Sequence, residues 1–191
     1  MIGNDIVDLQ HMSNTCDWRR PRFFDKVFTQ KEQALILTSE NQHQMVWLLW
    51  SMKEAAYKVH VQQFGEVFFN PKRLVCNLIS EEKGDVRIDS NHYDARSTIT
   101  EDYVYTIAQP ESCKTLYSSI FKSEISSYTS QSSQLKQKLL RTISQSEQLD
   151  YQALNIRKTK FGVPQVFNNF QKLPLQFSLT HCGRYSGYVM C

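Results

Sequence analysis

Glu54 and Lys58 are the ionisable pair near the middle of the chain whose spacing best suits joint chemistry. They lie four residues apart in the segment WSMKEAAYK, residues 50–58. On a helix this spacing sets the two side chains beside each other on one face. Glutamate–lysine pairs at this spacing are also common surface stabilisers, so the pair alone predicts no more than an ion pair.

A second acidic residue, Asp5, lies near the amino terminus in the run GNDIVDL. β-branched residues predict a strand over residues 1–9, and alternation places Asp5 and Val7 on one face and Asp8 on the other. A carboxylate that is partly buried in such a strand needs a cation or a hydrogen-bond donor. Isolated strand aspartates are also common at turns and edges, so Asp5 by itself does not define a site.

The element that would position Glu54 and Lys58 is a helix over residues 43–63. Its apolar residues recur at helical spacing, and good helix formers fill the positions between them. We expect Gly65 to end this helix.

The stretch before this helix is expected to begin with a loop through Asn14 and to continue as a helical segment over residues 17–37. Thr29 and Glu32 have the spacing of a capping box, which leaves open one helix or two. Four basic residues crowd near the start of the segment: Arg19, Arg20, Arg22 and Lys26.

After Gly65 the pattern changes to short strand-like runs separated by Gly, Asn and Asp, which predict a small antiparallel sheet. The runs are residues 73–79, 86–88 and 103–108.

The last third of the chain has a mixed pattern. Residues 111–133 are rich in serine and predict either a linking helix or a mobile connection. A helix over residues 135–143 and a last strand over residues 177–190 are expected to follow. If the chain forms two lobes, their boundary lies near Pro110.

Composition and charge exclude several classes of protein. Hydrophobic residues at 41% and charged residues at 21% are near globular averages, which predicts an ordinary soluble protein. A net charge of +3 without a basic run makes a nucleic-acid binder a weak alternative.

Five scattered cysteines without a C-x-x-C pair fit a reducing compartment. The acidic start lacks a secretory pattern, and the longest apolar stretch, residues 45–50, is too short to cross a bilayer, so we expect a cytoplasmic protein.

Three segments together resemble the signatures of the 4'-phosphopantetheinyl transferase superfamily. Residues 3–9 resemble its G-x-D-I segment, and residues 50–58 its W-x-x-K-E-A-x-x-K segment. Residues 177–185, FSLTHCGRY, look like its F-S-[IL]-[ST]-H-[ST]-G segment. Residues 162–164 read GVP where G-K-P is usual.

The resemblance implies an α+β fold with two similar lobes, each packing a long helix on an antiparallel sheet. Residues 1–110 resemble the carboxy-terminal half of the larger, surfactin-synthetase-activating type, and residues 135–191 resemble its amino-terminal half. The same order of motifs occurs in the small holo-acyl-carrier-protein synthases. We therefore expect residues 1–110 to carry the metal and catalytic motifs, and residues 111–191 to carry the motif for the 3'-phosphate of coenzyme A. The resemblance allows a monomer or a trimer.

The implied reaction moves 4'-phosphopantetheine from coenzyme A to a serine of an apo acyl or peptidyl carrier protein, as in holo-[acyl-carrier-protein] synthases. By family position, Asp5 and Glu54 would hold Mg²⁺. Glu54 would also act as base for the serine, directly or through water, and Lys58 would neutralise the pyrophosphate. In the larger transferases another carboxylate stands where this chain has Val7, so we expect water to replace it.

The last motif implies two contacts to coenzyme A. His181 matches the family histidine that contacts the 3'-phosphate, and Thr180 could donate its hydroxyl to the same group. The usual lysine of G-K-P is replaced by Val163. We consider nearby Arg157, Lys158 and Lys160 as substitutes.

The basic cluster is a candidate docking surface, because carrier proteins are acidic around the modified serine. It consists of Arg19, Arg20, Arg22 and Lys26. The main alternative to an enzyme is a non-catalytic coenzyme A or carrier-protein binding module with the same fold. Val7 and Val163 favour that alternative, whereas Asp5, Glu54 and Lys58 argue against it.

Overall fold

The part of the chain that the structure describes contains five α-helices, eleven strands and two short 3-10 helices, Pro71–Arg73 and Tyr151–Ala153. This structure is a computed structural model, and it describes residues 1–20, 22–110, 116–123 and 127–191. The helices are α1 (Leu9–Thr15), α2 (Phe23–Val27), α3 (Gln30–Thr38), α4 (Gln42–Phe64) and α5 (Tyr128–Glu147). The strands are β1 (Gly3–Asp8), β2 (Leu74–Leu78), β3 (Lys83–Ile88), β4 (Asn91–Ile99), β5 (Tyr103–Gln109), β6 (Tyr117–Lys122), β7 (Leu154–Lys158), β8 (Pro164–Asn168), β9 (Gln171–Lys172), β10 (Phe177–Cys182) and β11 (Tyr185–Met190).

A five-stranded antiparallel sheet, in the order β1-β5-β4-β3-β2, supports the long helix α4. Apolar side chains such as Leu49 and Met52 of α4 pack with Val86 and Val104 of the sheet in the main core. Burial of this apolar face is the principal force that holds helix and sheet together. Gly65 ends α4 in the left-handed conformation, as the sequence predicts.

The second half of the chain forms two smaller antiparallel sheets, β10-β11-β6 and β7-β8-β9. Helix α5 contacts β7, β10 and β11, and its apolar face builds a second core. Leu135 and Leu139 of α5 pack there with Val166 and Tyr188.

The edge strands β1 and β10 meet along a line that we call the seam. Their backbones are bridged by side chains: the Asn4 amide donates to Ser178 Oγ at 3.2 Å, and the Ile6 amide donates to Thr180 Oγ1 at 3.1 Å. Ser178 and Thr180 thus satisfy two alternate amides of β1, which lies at the edge of its sheet in the described part of the chain. The seam joins the two halves of the chain.

The structure confirms the α+β class and most of the expected elements of the first half. The helix predicted over residues 43–63 is α4, and the capping box of Thr29 and Glu32 is present at the start of α3. The run at residues 73–79 contains β2, and the runs at 86–88 and 103–108 lie in β3 and β5. The boundary at Pro110 and the similarity of two lobes stay predictions.

Other expectations were wrong. The expected loop through Asn14 is helix α1, which Asp8 begins by capping the His11 amide. Within residues 111–133 the structure has strand β6 and the start of α5, while residues 111–115 and 124–126 lie outside the described ranges. The expected last strand is the hairpin of β10 and β11, because Gly183 turns the chain with a positive φ of 53°.

Within the described ranges, none of the helices combines the length and apolar character needed to cross a bilayer.

Candidate active site

Strand β1 approaches α4 closely at Gly3. A Cβ atom at this position would overlap the carbonyl oxygen of Ala55, so the approach requires a residue without a side chain. Ser51 Oγ donates to the carbonyl oxygen of Asp5 across the same contact, at 3.3 Å. The glycine two residues before Asp5 therefore allows the acid to lie against the middle of the helix.

Asp5 is held by groups from both sides of the seam. Its side chain is nearly buried, and its Oδ1 accepts from Thr180 Oγ1 at 3.1 Å and from Lys58 Nζ at 3.3 Å. Burial raises the pKa of Asp5 above its ordinary value, although the charge of Lys58 and these hydrogen bonds act to lower it. The sequence predicts that Asp5 needs a cation or a hydrogen-bond donor, and the structure provides Lys58 as the cation and Thr180 as the donor.

Glu54 lies one helical turn before Lys58, within range of the charges of Asp5 and Lys58. Burial, and then the negative charge of Asp5, raise the pKa of Glu54 to about 7, against the smaller lowering effect of Lys58. A buried carboxyl and a partly exposed one whose charges repel each other are suited to share a cation. Such a pair also supplies a group that can accept a proton near neutral pH.

Lys58 points into the seam, where it contacts three oxygen atoms. Its Nζ donates to the carbonyl oxygen of Asn4 at 2.7 Å, to Asp5 Oδ1 at 3.3 Å and to the carbonyl oxygen of Leu179 at 3.5 Å. Its side chain keeps 29% of its surface exposed. The ammonium group is therefore fixed between β1 and β10 while still facing solvent.

A cavity of about 400 Å³ opens beside Lys58 on the side of the second half of the chain. His181 lines it, and burial together with the charge of Lys58 lowers the pKa of His181, which favours the neutral imidazole. Lys136 of α5 and Lys158 of β7 add two further cations to the wall. Val163 lies in the same wall, at the position where the resemblance expects a lysine.

The motifs that converge here are far apart in the sequence, and a family model covers two of them. The model described as ACPS, 4'-phosphopantetheinyl transferase superfamily, matches residues 1–108. The chain belongs to the 4'-phosphopantetheinyl transferase superfamily. The matched range includes Asp5, Glu54 and Lys58 and ends before Thr180 and His181.

Among solved structures, the chain is similar to the holo-[acyl-carrier-protein] synthase (AcpS) of Thermotoga maritima. The two share 13% identity and a TM-score of 0.42 over 87% of this chain and 82% of that chain. No curated protein matches the sequence.

Two acidic residues, Asp5 and Glu54, are the ones predicted to hold a metal ion. Val7 is buried in the main core, so the position of the further carboxylate of larger transferases is apolar. Asp8 is occupied elsewhere, because its carboxylate accepts from the Arg184 side chain and from the backbone amides of Arg184 and His11. Among the described residues, no three His, Cys, Asp or Glu side chains gather as a metal site.

A second cleft lies beside Glu54, and part of the predicted docking cluster lines a groove that adjoins it. Glu54 and Trp50 line a cavity of about 240 Å³, and Trp50 also lines an adjoining groove of about 710 Å³. Among the other lining residues of the groove are Arg20, Arg22, Lys26 and the almost fully exposed Phe69. Arg19 does not join them: it stacks on Trp18 and donates to Gln42.

Two features of the site were missed in the sequence. Tyr57 lines both the cavity beside Lys58 and the cavity beside Glu54, so it stands on the ridge between the clefts. Its place in the helix between Glu54 and Lys58 was a usable signal. Lys136 was not identified, because its contribution depends on how α5 packs, which no local pattern reveals. Lys53 of the same helix is occupied elsewhere, because it forms a buried ion pair with Glu32 at 2.8 Å.

Proposed function

We propose that this chain transfers 4'-phosphopantetheine from coenzyme A to a serine of an apo carrier protein and uses Mg²⁺ to do so. The observation that carries the proposal is the meeting of two clefts on one ridge of α4. Glu54, Tyr57 and Lys58 form this ridge, with one cavity beside Lys58 and another beside Glu54. A reaction between two large substrates needs two approaches to one set of polar groups.

The cavity beside Lys58 suits coenzyme A. Its volume of about 400 Å³ is in the usual range for a small-molecule site. Lys58, Lys136 and Lys158 offer positive charge to the phosphates, and His181 offers a ring N–H. Lys136 and Lys158 thus supply charge that Val163 cannot, which weakens the case for a non-catalytic module.

The carboxyl pair fits a divalent cation. Asp5 and Glu54 offer hard oxygen ligands. Burial and then repulsion from Asp5 raise the pKa of Glu54, and a bound cation would offset that repulsion. Mg²⁺ commonly uses one or two protein carboxylates and keeps waters and phosphate oxygens as its other ligands. Bound there, the ion would supply positive charge to the pyrophosphate.

The side chains of the ridge have distinct tasks in the transfer. The serine oxygen attacks the β-phosphorus of coenzyme A, and the bond to the leaving adenosine 3',5'-bisphosphate breaks. Glu54 accepts the serine proton, which its position and raised pKa favour. Lys58, fixed by two carbonyl oxygens and Asp5, stabilises the negative charge on the leaving group.

The basic groove is the proposed path of the carrier protein. Its guanidinium and ammonium groups attract an acidic surface, and the exposed ring of Phe69 offers an apolar contact. The groove adjoins the cavity of Glu54, since both are lined by Trp50, Phe69, Asn70 and Pro71. A carrier docked along it would present its serine to Glu54.

The transfer is tested directly by incubating the protein with Mg²⁺, coenzyme A and a panel of apo carrier proteins. We expect the mass increment of phosphopantetheine on the carrier, and its loss when Mg²⁺ is chelated. A carrier with its serine changed to alanine is the matched control. Coenzyme A binding without any transfer across the panel would instead identify a binding module.

A further inference from the structure

The hydroxyl of Thr180 is fully engaged inside the seam. It accepts from the Ile6 amide at 3.1 Å and lies 3.1 Å from Asp5 Oδ1, to which it donates. A threonine hydroxyl carries a single hydrogen, so a proton directed to Asp5 is not available to a phosphate. Thr180 is also only 5% exposed, which separates its oxygen from a ligand in the open cavity.

Ser178 provides an internal comparison two residues earlier on the same strand. Its Oγ accepts from the Asn4 amide at 3.2 Å, just as Thr180 accepts from Ile6. Within the described part of the chain, no carboxylate is hydrogen-bonded to Ser178, whereas Thr180 has Asp5 as its acceptor. Both residues close the seam, but only the threonine touches an acidic group.

The hydrogen bond from Thr180 restricts the carboxyl of Asp5. The bonds from Thr180 and from Lys58 both end on Oδ1, so they limit rotation of the group and fix the direction of Oδ2. Groups that orient a metal ligand in this way strongly affect the affinity of the site. Thr180 lies in the second half of the chain and Asp5 in the first. The same hydroxyl that joins β10 to β1 therefore also orients the Asp5 carboxylate.

We propose that Thr180 is a positioning residue that orients the Asp5 carboxylate for its cation, and that it does not bind the 3'-phosphate of coenzyme A. This rests on the proposed function, in which Asp5 is a ligand of the ion. It replaces the role that the sequence motif suggests for Thr180. His181 and the cavity lysines then recognise the phosphate without help from the threonine.

Three variants separate this role from a merely structural one. Thr180→Val keeps the shape and removes the hydroxyl, Thr180→Ser keeps the hydroxyl, and Ser178→Ala removes the comparable seam bond that has no carboxylate partner. Binding of Mn²⁺ alone, followed by electron paramagnetic resonance, reports on the Asp5 site, since carboxylate sites accept Mn²⁺ as well as Mg²⁺. Affinities for coenzyme A and 3'-dephospho-coenzyme A, measured by calorimetry, report on the phosphate.

The expected result is selective. Thr180→Val should weaken Mn²⁺ binding about tenfold, as is typical for loss of a group that orients a metal ligand. Thr180→Ser should restore it, and Ser178→Ala should not reproduce the loss. The preference for coenzyme A over 3'-dephospho-coenzyme A should be the same in Thr180→Val as in the wild type.

Three outcomes would overturn the proposal. One is a Thr180→Val variant that loses the preference for coenzyme A, because the hydroxyl would then serve the phosphate. Another is an equal effect of Thr180→Val and Ser178→Ala on Mn²⁺, which would indicate general loosening of the seam. The third is unchanged Mn²⁺ binding in folded Thr180→Val. Absence of transfer by the wild-type protein would refute the proposed function instead, and the Mn²⁺ measurements would still decide the role of Thr180.

Discussion

At the scale of single residues, Glu54 is the group whose ionisation matters most for the proposed transfer. It lies on the ridge between the two clefts, within range of the charge of Asp5. Glu54→Gln keeps the size of the side chain but removes its ability to accept a proton. We expect transfer to fall about a hundredfold or more, the usual contribution of a positioned base. The turnover of an apo carrier measures this, and near-normal turnover would assign the base elsewhere.

The same substitution should stabilise the protein without metal. The pKa of Glu54 is raised from 4.5 to about 7 in the folded state, so stability from this group is greatest below 4.5 and declines as the pH rises through about 7. Glutamine removes that penalty. Thermal unfolding of Glu54→Gln without divalent ions is therefore expected at a higher temperature than wild type near pH 8, and at the same temperature near pH 4. A lower unfolding temperature near pH 8 would contradict the burial argument.

At the scale of elements, Asp8 and Arg184 tie the end of β1 to the turn between β10 and β11. Arg184 donates to the fully buried Asp8 carboxylate through Nε at 2.8 Å and Nη2 at 2.9 Å. A Cβ atom on Gly183 would collide with the same carboxylate, so the glycine makes the contact possible. This pair closes the seam at the end away from Gly3.

Asp8→Asn tests that connection. Burial acts to raise the pKa of Asp8, but hydrogen bonds from Arg184 and His11 outweigh it and hold the pKa below 3.8. The stabilisation is thus present above 3.8 and is lost as the pH falls through the lower folded value. We expect Asp8→Asn to lower the free energy of unfolding by about 3 kcal/mol near pH 7. Urea unfolding at several pH values checks this, and a difference that persists below the folded pKa would contradict it.

The groove beside α2 gives a prediction for a surface rather than a single group. Reversal of charge in Arg20→Glu with Arg22→Glu should raise the KM for the carrier protein about tenfold or more and leave the KM for coenzyme A unchanged. Arg19→Glu is the matched comparison, because Arg19 contacts Trp18 and Gln42 instead of lining the groove. Steady-state kinetics at two salt concentrations measures both. Equal effects of the two changes would indicate net charge and not a docking groove.

An element could be predicted when the residues that determine it lie within one short segment of the sequence. Helix α4 was predicted because its apolar period and terminal glycine lie within one segment, and the capping box of Thr29 and Glu32 is equally local. Strand β4 was missed although its burial alternates, because charged and polar residues such as Asp94 and Arg96 dominate its sequence. Helix α1 was missed because Asp8 is both the last residue of β1 and the residue that caps α1, so the strand pattern runs directly into the helix.

At the scale of the whole molecule, both walls of the candidate site come from one chain. Asp5 and Lys58 from the first half meet Thr180 and the backbone of Leu179 from the second. The sequence placed the two motifs in one site only through the family resemblance, since residues 175 positions apart share no local pattern. Neither the bond from Thr180 to Asp5 nor the place of Lys58 in the seam could be predicted, because both depend on how two sheets meet.

This arrangement predicts that a single chain suffices for activity, and mixing two inactive variants tests it. Asp5→Asn disables the first half of the site and His181→Ala the second. If each chain builds its own site, a mixture of the two proteins, unfolded and refolded together, should transfer no faster than the sum of the separate variants. If sites formed between chains, as in a trimer, some mixed sites would combine an intact Asp5 with an intact His181 and restore activity. Light scattering of the wild type should agree, with the mass of one 22.4 kDa chain. Restored activity in the mixture would show that the seam described here within one chain also forms between chains, with β1 of one chain against β10 of another.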